Sequence, residues 1–180
     1  MGASVYYPAS DIQDSQILAY EICGRDRIVA MSPGWANGNT RHPALGRSLW
    51  DLLGNGNIAD IYRALVTETR RTGMGQCFTF RCDDFNTRRV MSMAMVPVGD
   101  GGIRFSSRPI AEERQDSAAF IRRHRAMPLS VDICPKCGGI KVEDQWLAAG
   151  SALESLGIFA DDLPFRTWPA HCPSCGPNGH

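Results

Sequence analysis

Near the end of the chain the unit Cys-Pro-x-Cys-Gly occurs twice, in "ICPKCGGIKVEDQW" and in "AHCPSCGPNGH". Its cysteines are Cys134, Cys137, Cys172 and Cys175. Zinc prefers four ligands at tetrahedral corners, and thiolate sulfur is its best structural ligand. Two cysteines with two residues between them can aim both sulfurs at one ion, because the chain curls back between them. A glycine just after the second cysteine permits the tight turn that lets backbone N–H groups face the sulfurs. Each unit is therefore half of a site, and the pair predicts one structural zinc held by four cysteines. The segment 138–171 between the halves is longer than in a minimal finger. It leaves room for an inserted element, and "QWLAAGSALESLGI" supplies a helix-like one. Four sulfurs leave no open position for water, so catalytic zinc is not expected. Two other uses compete: reduced cysteine turns without metal, and a thiol–disulfide switch in one of the pairs. His171 could replace one sulfur, although a neighbouring histidine is more often outside the ligand set.

The rest of the chain has to position this site. At 180 residues and 43% hydrophobic, it holds one domain of ordinary size plus a small appendix. Net charge is zero, so no global attraction to nucleic acid or anionic membrane is indicated. Lys136 and Lys141 are the only lysines; the remaining basic charge is arginine. No stretch approaches the roughly 18–20 apolar residues of a membrane span. The start, "MGASVYYPAS", lacks the basic and apolar regions of a secretion signal. A cytoplasmic protein is expected, in which the cysteines are thiols or metal ligands rather than disulfides.

Residues 15–33 read as a hairpin, turning at Gly24-Arg25-Asp26-Arg27. "GWANGNTRHPALG" is loop-like. "NIADIYRALVTETRRTG" is the clearest helix: Ile58, Ile61, Tyr62 and Leu65 form one apolar stripe, with Asn57 to cap the start and Gly73 the end. Three strand-like runs follow at 76–82, 88–98 and 102–110, joined by connections short enough to favour antiparallel neighbours. The expected architecture is α+β: a five-stranded antiparallel sheet with helices on one face, plus a small zinc-ribbon-like C-terminal module. The expected division is an N-terminal segment 1–14, a domain 15–110, a partly helical linker 111–130 ending at Pro128, and a cysteine module 131–180.

This order of elements resembles the PAS sensory family. "YEICGRDRIVAMSPGW" is similar to its first hairpin, "LGRSLWDLL" to the element before its long helix, and "FRCDDFNTRRVMSMAMVPVGDGGIRFSS" to its last three strands. The cysteine module is similar to a C-terminal segment attached to many bacterial PAS proteins. The resemblance implies a sensor or adaptor in signalling, pairing as a homodimer through the PAS domain, with a cavity between sheet and helices that can hold a small ligand, haem or flavin. No flavin-reactive cysteine motif is present, and residues 58–71 contain no histidine; His42 lies in a loop. Haem and flavin are therefore not expected. Candidate pocket residues are Trp35, Trp50, Tyr62, Met91, Met93 and Met95, for which plain core filling is the commoner role. Cys77 and Cys82 read as small buried hydrophobes or bystanders.

No Ser/His/Asp set or paired carboxylates stand at a recognisable spacing, so an enzyme is not expected; Asp83-Asp84 belongs to a hairpin turn. The alternative is a nucleic-acid-binding regulator using the zinc module and the basic run Arg122, Arg123, His124, Arg125. Against it, Glu143, Asp144, Glu154, Asp161 and Asp162 would repel phosphate. Partners are expected to be proteins.

Overall fold

The computed structural model describes residues 17–33, 43–82, 87–114, 128–159 and 164–176. Five strands form the first sheet: β1 (Leu18–Ile22), β2 (Ile28–Met31), β3 (Gln76–Arg81), β4 (Thr87–Val98) and β5 (Gly102–Arg114). Their order is β2-β1-β5-β4-β3, and every pair is antiparallel. Among the described residues between β2 and β3 are the helices α1 (Leu49–Leu53) and α2 (Asn57–Thr72). This is the expected arrangement, a five-stranded antiparallel sheet with helices on one face.

Alternation along the strands decides which face is covered. Tyr20, Ile22, Phe78, Met93, Met95, Ile103 and Phe105 point to the helix side and are buried. Tyr20 stacks on Phe105 at 4.6 Å between ring centroids, and Tyr62 of α2 stacks on Phe105 at 6.1 Å. Burial raises both phenols, Tyr62 to about 12.

α2 ends as the sequence suggests, with Gly73 in the left-handed conformation donating to the Thr69 carbonyl. Its start differs. Gly56 is the N-cap residue, and Asn57 faces elsewhere. Ile58, expected on the buried stripe, is exposed, whereas Ala59, Ala64 and Glu68 are buried. The reason is a second covering layer on α2.

That layer is the C-terminal part. Strands β6 (Leu129–Ile133), β7 (Ile140–Val142), β8 (Gln145–Leu147) and β9 (Phe165–Pro169) form a sheet ordered β8-β7-β6-β9, with helix α3 (Ala149–Leu156) inserted before β9. β6 and β9 are parallel neighbours. Val131, Ile133, Ile140, Ala152, Leu153 and Ile158 belong to the same hydrophobic cluster as Ile61, Leu65, Phe78 and Phe105. The expected module 131–180 is thus packed into the core of the sheet domain. The expected linker 111–130 begins as strand, since β5 runs to Arg114 with Arg88–Glu113 and Arg89–Glu112 pairs across it, and β6 starts at Leu129. Residues 115–127, where helix was expected, and the segment 1–14 lie outside the described residues.

Several polar side chains join the layers. Asn57 donates to the Phe165 carbonyl and accepts from the Thr167 N–H, so its amide pairs with the outer edge of β9 as a neighbouring strand would. Ala148, the N-cap residue of α3, supplies no side-chain bond. The free N–H groups of that helix are met from outside it: Ala149 donates to Glu68 at 2.6 Å and Gly150 donates to Gln76 at 2.9 Å. Gln76 in turn donates to the Leu65 carbonyl and to Thr69 Oγ1.

Burial raises the Glu68 carboxyl; the Ala149 N–H and Arg71 draw it partly back. A raised acid holds its proton to higher pH in the folded chain than in the unfolded one. Its contribution is therefore complete below the ordinary glutamate value, about 4.3, and is lost as pH rises through the folded value. Glu68→Gln keeps an acceptor for Ala149 and removes the titration. In denaturant unfolding between about pH 4 and pH 7, the wild type should lose stability relative to Glu68→Gln as pH rises. A constant difference between the two proteins would show that Glu68 does not titrate in this window.

Candidate metal centre

The two cysteine units converge because of β6 and β9. Ile133 pairs with Pro169 at the ends of these parallel strands, and Ala170 donates to the Ile133 carbonyl. Both chains leave the sheet side by side, and the next residues are Cys134 on one and, after His171, Cys172 on the other. Each then turns back. Gly138 donates to the Cys134 carbonyl and Cys134 to the Gly139 carbonyl; Cys175 and Gly176 both donate to the Cys172 carbonyl. Lys136 reaches across from the first turn to the carbonyls of Cys175 and Gly176.

The four sulfurs lie within 4.8 Å of one another, and Cys137 and Cys172 are 3.8 Å apart. Sulfurs at about 2.3 Å from a tetrahedral ion stand roughly 3.8 Å from each other, so the cluster is already close to the size of a zinc site. Cys134 and Cys172 are buried; Cys137 and Cys175 are half-buried. The Gly139 N–H lies 3.4 Å from the Cys137 sulfur, an outer hydrogen bond of the kind that supports a thiolate. His171 is exposed and outside this group.

The sulfurs differ in how readily they ionise. Burial pushes the Cys134 thiol up, but backbone N–H groups of Cys172, Cys137 and Lys136 outweigh it and bring it down to about 6. Cys175 is pushed up to about 12, first by its bond with Cys172 and then by burial, and burial also raises Cys137. Backbone donors thus favour the thiolate at Cys134, while burial and sulfur–sulfur hydrogen bonds hold the proton on Cys137 and Cys175. The four cysteines fit a metal ion, and four thiolates suit zinc.

The first cysteine turn is seated on α2. Gly138 has φ 79°, and a Cβ there would stand 2.3 Å from the Ala64 carbonyl oxygen. Only glycine meets both conditions. The sequence marks this glycine as a turn residue, but not as the contact with α2.

The other expected site residues are not gathered into one pocket. Met93 and Met95 are core residues, Met91 is buried beside them, and Tyr62 packs on Phe105. The space beneath α2 is filled by the Tyr20–Phe105–Tyr62 stack. Trp50 is half-buried against the core, where its indole N–H donates to Asp26 and Arg63 of α2 lies 5.1 Å over its ring. Trp35, His42, Asp83-Asp84 and the basic run 122–125 lie outside the described residues. Cys77 is half-buried with its sulfur 3.6 Å from Ser92 Oγ, and Cys82 is exposed. Sequence reasoning missed Asn57, Glu68 and Gln76 as joining residues. The one available signal was a glutamate within an otherwise apolar helix face. No helix among the described residues is long and apolar enough to cross a membrane.

No family model matches the chain, and no curated protein matches it. Among solved structures, it is similar to the photoactive yellow protein domain from the sensor histidine kinase Ppr of Rhodospirillum centenum. That similarity has a TM-score of 0.38 and 16% identity, and covers 52% of this chain and 91% of that one.

Gly138→Ala should destabilise the fold by about 2 kcal/mol or more, since it combines a left-handed backbone position with a steric clash. Thermal unfolding measures this. A melting temperature unchanged within error would mean that the turn does not rest on α2.

Proposed function

We propose that this protein is a signalling adaptor of the PAS type, in which a structural zinc fastens the C-terminal module onto the sheet domain. The observation that carries this reading is the four-sulfur cluster at the shared end of β6 and β9, its first turn pressed on α2. Zinc there has a folding role. It fixes the ends of two strands whose other contacts belong to the domain core, so binding energy becomes folding energy. The protein works by binding rather than by catalysis, through protein partners and as a homodimer. Support for this comes from the PAS-like sheet and from a cysteine cluster whose four positions are all taken by sulfur. The neutral charge balance favours protein partners over nucleic acid.

Protein purified without added metal should carry about one zinc per chain, read by elemental analysis. Cys137→Ser should lower that content and open α2 as well as the module to protease, because the two share a core. A metal-free wild type that resists protease as fully as the zinc form would overturn the fastening role. Sedimentation velocity reads the homodimer, and a monomer at every concentration would remove it from the proposal.

A further inference from the structure

One cleft lies not between sheet and helices but on the opposite side of α2, where the C-terminal module meets it. It has a volume of about 430 Å³, and its lining comes from α1, α2, β9 and the first cysteine turn. That size suits a small organic ligand. Trp50 forms part of one wall and Trp168 part of another, with Pro135 and Pro169 beside the second. Trp168 is 55% exposed, which is unusual for so large an apolar side chain on a strand.

The polar groups of the cleft are unevenly committed. Asp26 is paired with Arg70 and accepts from the Trp50 indole. Asp60 is paired with Arg63 and accepts from Thr167 Oγ1. Both carboxylates are therefore ion-paired and accept a hydrogen bond, although Asp26 Oδ1 meets Arg70 only as an ion pair. Arg70 is also spent, donating to the Gly101 and Cys23 carbonyls besides its ion pair. Arg63 is different. One Nη1 donates to Asp60 and the guanidinium lies over Trp50, while a guanidinium carries five N–H donors. The free guanidinium donors of the cleft are thus on one arginine, which lies over an aromatic ring. A single arginine, half-neutralised by Asp60 and with Asp26 near, suits one negative charge and disfavours a phosphate dianion.

We infer that this cleft binds a small aromatic monocarboxylate, its carboxylate on Arg63 and its ring against Trp168 and the neighbouring prolines. Such a ligand would touch α2 and the turn bearing Cys134 together, so it would report on the joint between the two layers. As the signal of a sensor it rests on the function proposed above; as a binding site it stands on the cleft alone.

The test is calorimetric titration of the zinc-loaded full chain with phenylacetate, and with phenethylamine as the cationic counterpart. Saturable binding of phenylacetate is expected, with no binding of the amine. Arg63→Gln changes a half-buried side chain and Trp168→Ala an exposed one, and circular dichroism checks their folding. Each should weaken phenylacetate tenfold or more. The inference is overturned if phenylacetate fails to saturate, if the amine binds as well as the acid, or if either substitution leaves affinity unchanged. Zinc content and protease resistance of the same samples test the proposed function separately, so the two can fail independently.

Discussion

The parallel pairing of β6 with β9 is the constraint on which the C-terminal part depends. Parallel neighbours cannot be joined by a tight turn; the chain has to cross over, and here the crossover carries β7, β8 and α3. The reward of that topology is that both strands point the same way and end together. Cysteines far apart in sequence then emerge next to each other, and an ion can close the gap between the two turns. An antiparallel pair would have sent the two units to opposite ends of the sheet.

Helix α2 is the second shared element. An ordinary amphipathic helix offers one face to a core and the other to water. α2 gives one side to the aromatic stack on the sheet and another to the module, which is why alanines and a glutamate are buried on it. Small residues allow the cysteine turn to approach its backbone closely at Ala64. The polar groups that meet between the layers each find a partner: Asn57 on a strand edge, Glu68 and Gln76 on a helix start. Such bonds add modestly to stability, but leaving any of them unmade would be costly, so they fix how the layers fit.

This placement decides where open space lies. The space beneath α2 is packed with tyrosine and phenylalanine rings, and the open cleft lies on its other side, against the first cysteine turn. Anything that binds there contacts the helix and the module at once. The cysteine cluster, the polar joints and the cleft all bear on α2, at the seam between the layers.

Much of this was legible in the sequence. Alternation in "QCFTFRC" and "MSMAMV", short connections and the block order define the antiparallel sheet, because strand faces follow a period of two. The repeated Cys-Pro-x-Cys-Gly names its four sulfurs, because ligand chemistry is carried by residue type and local spacing. Local pattern could not say that Ala111–Arg114 is strand, since those charges become cross-strand pairs only opposite Arg88 and Arg89. Nor could it show that Asn57 leaves its own helix start to pair with β9, or that Ile58 faces outward while Glu68 is covered. These are decided by contacts between segments about a hundred residues apart, and the energy of burying a side chain depends on what arrives to cover it, which only the tertiary structure sets.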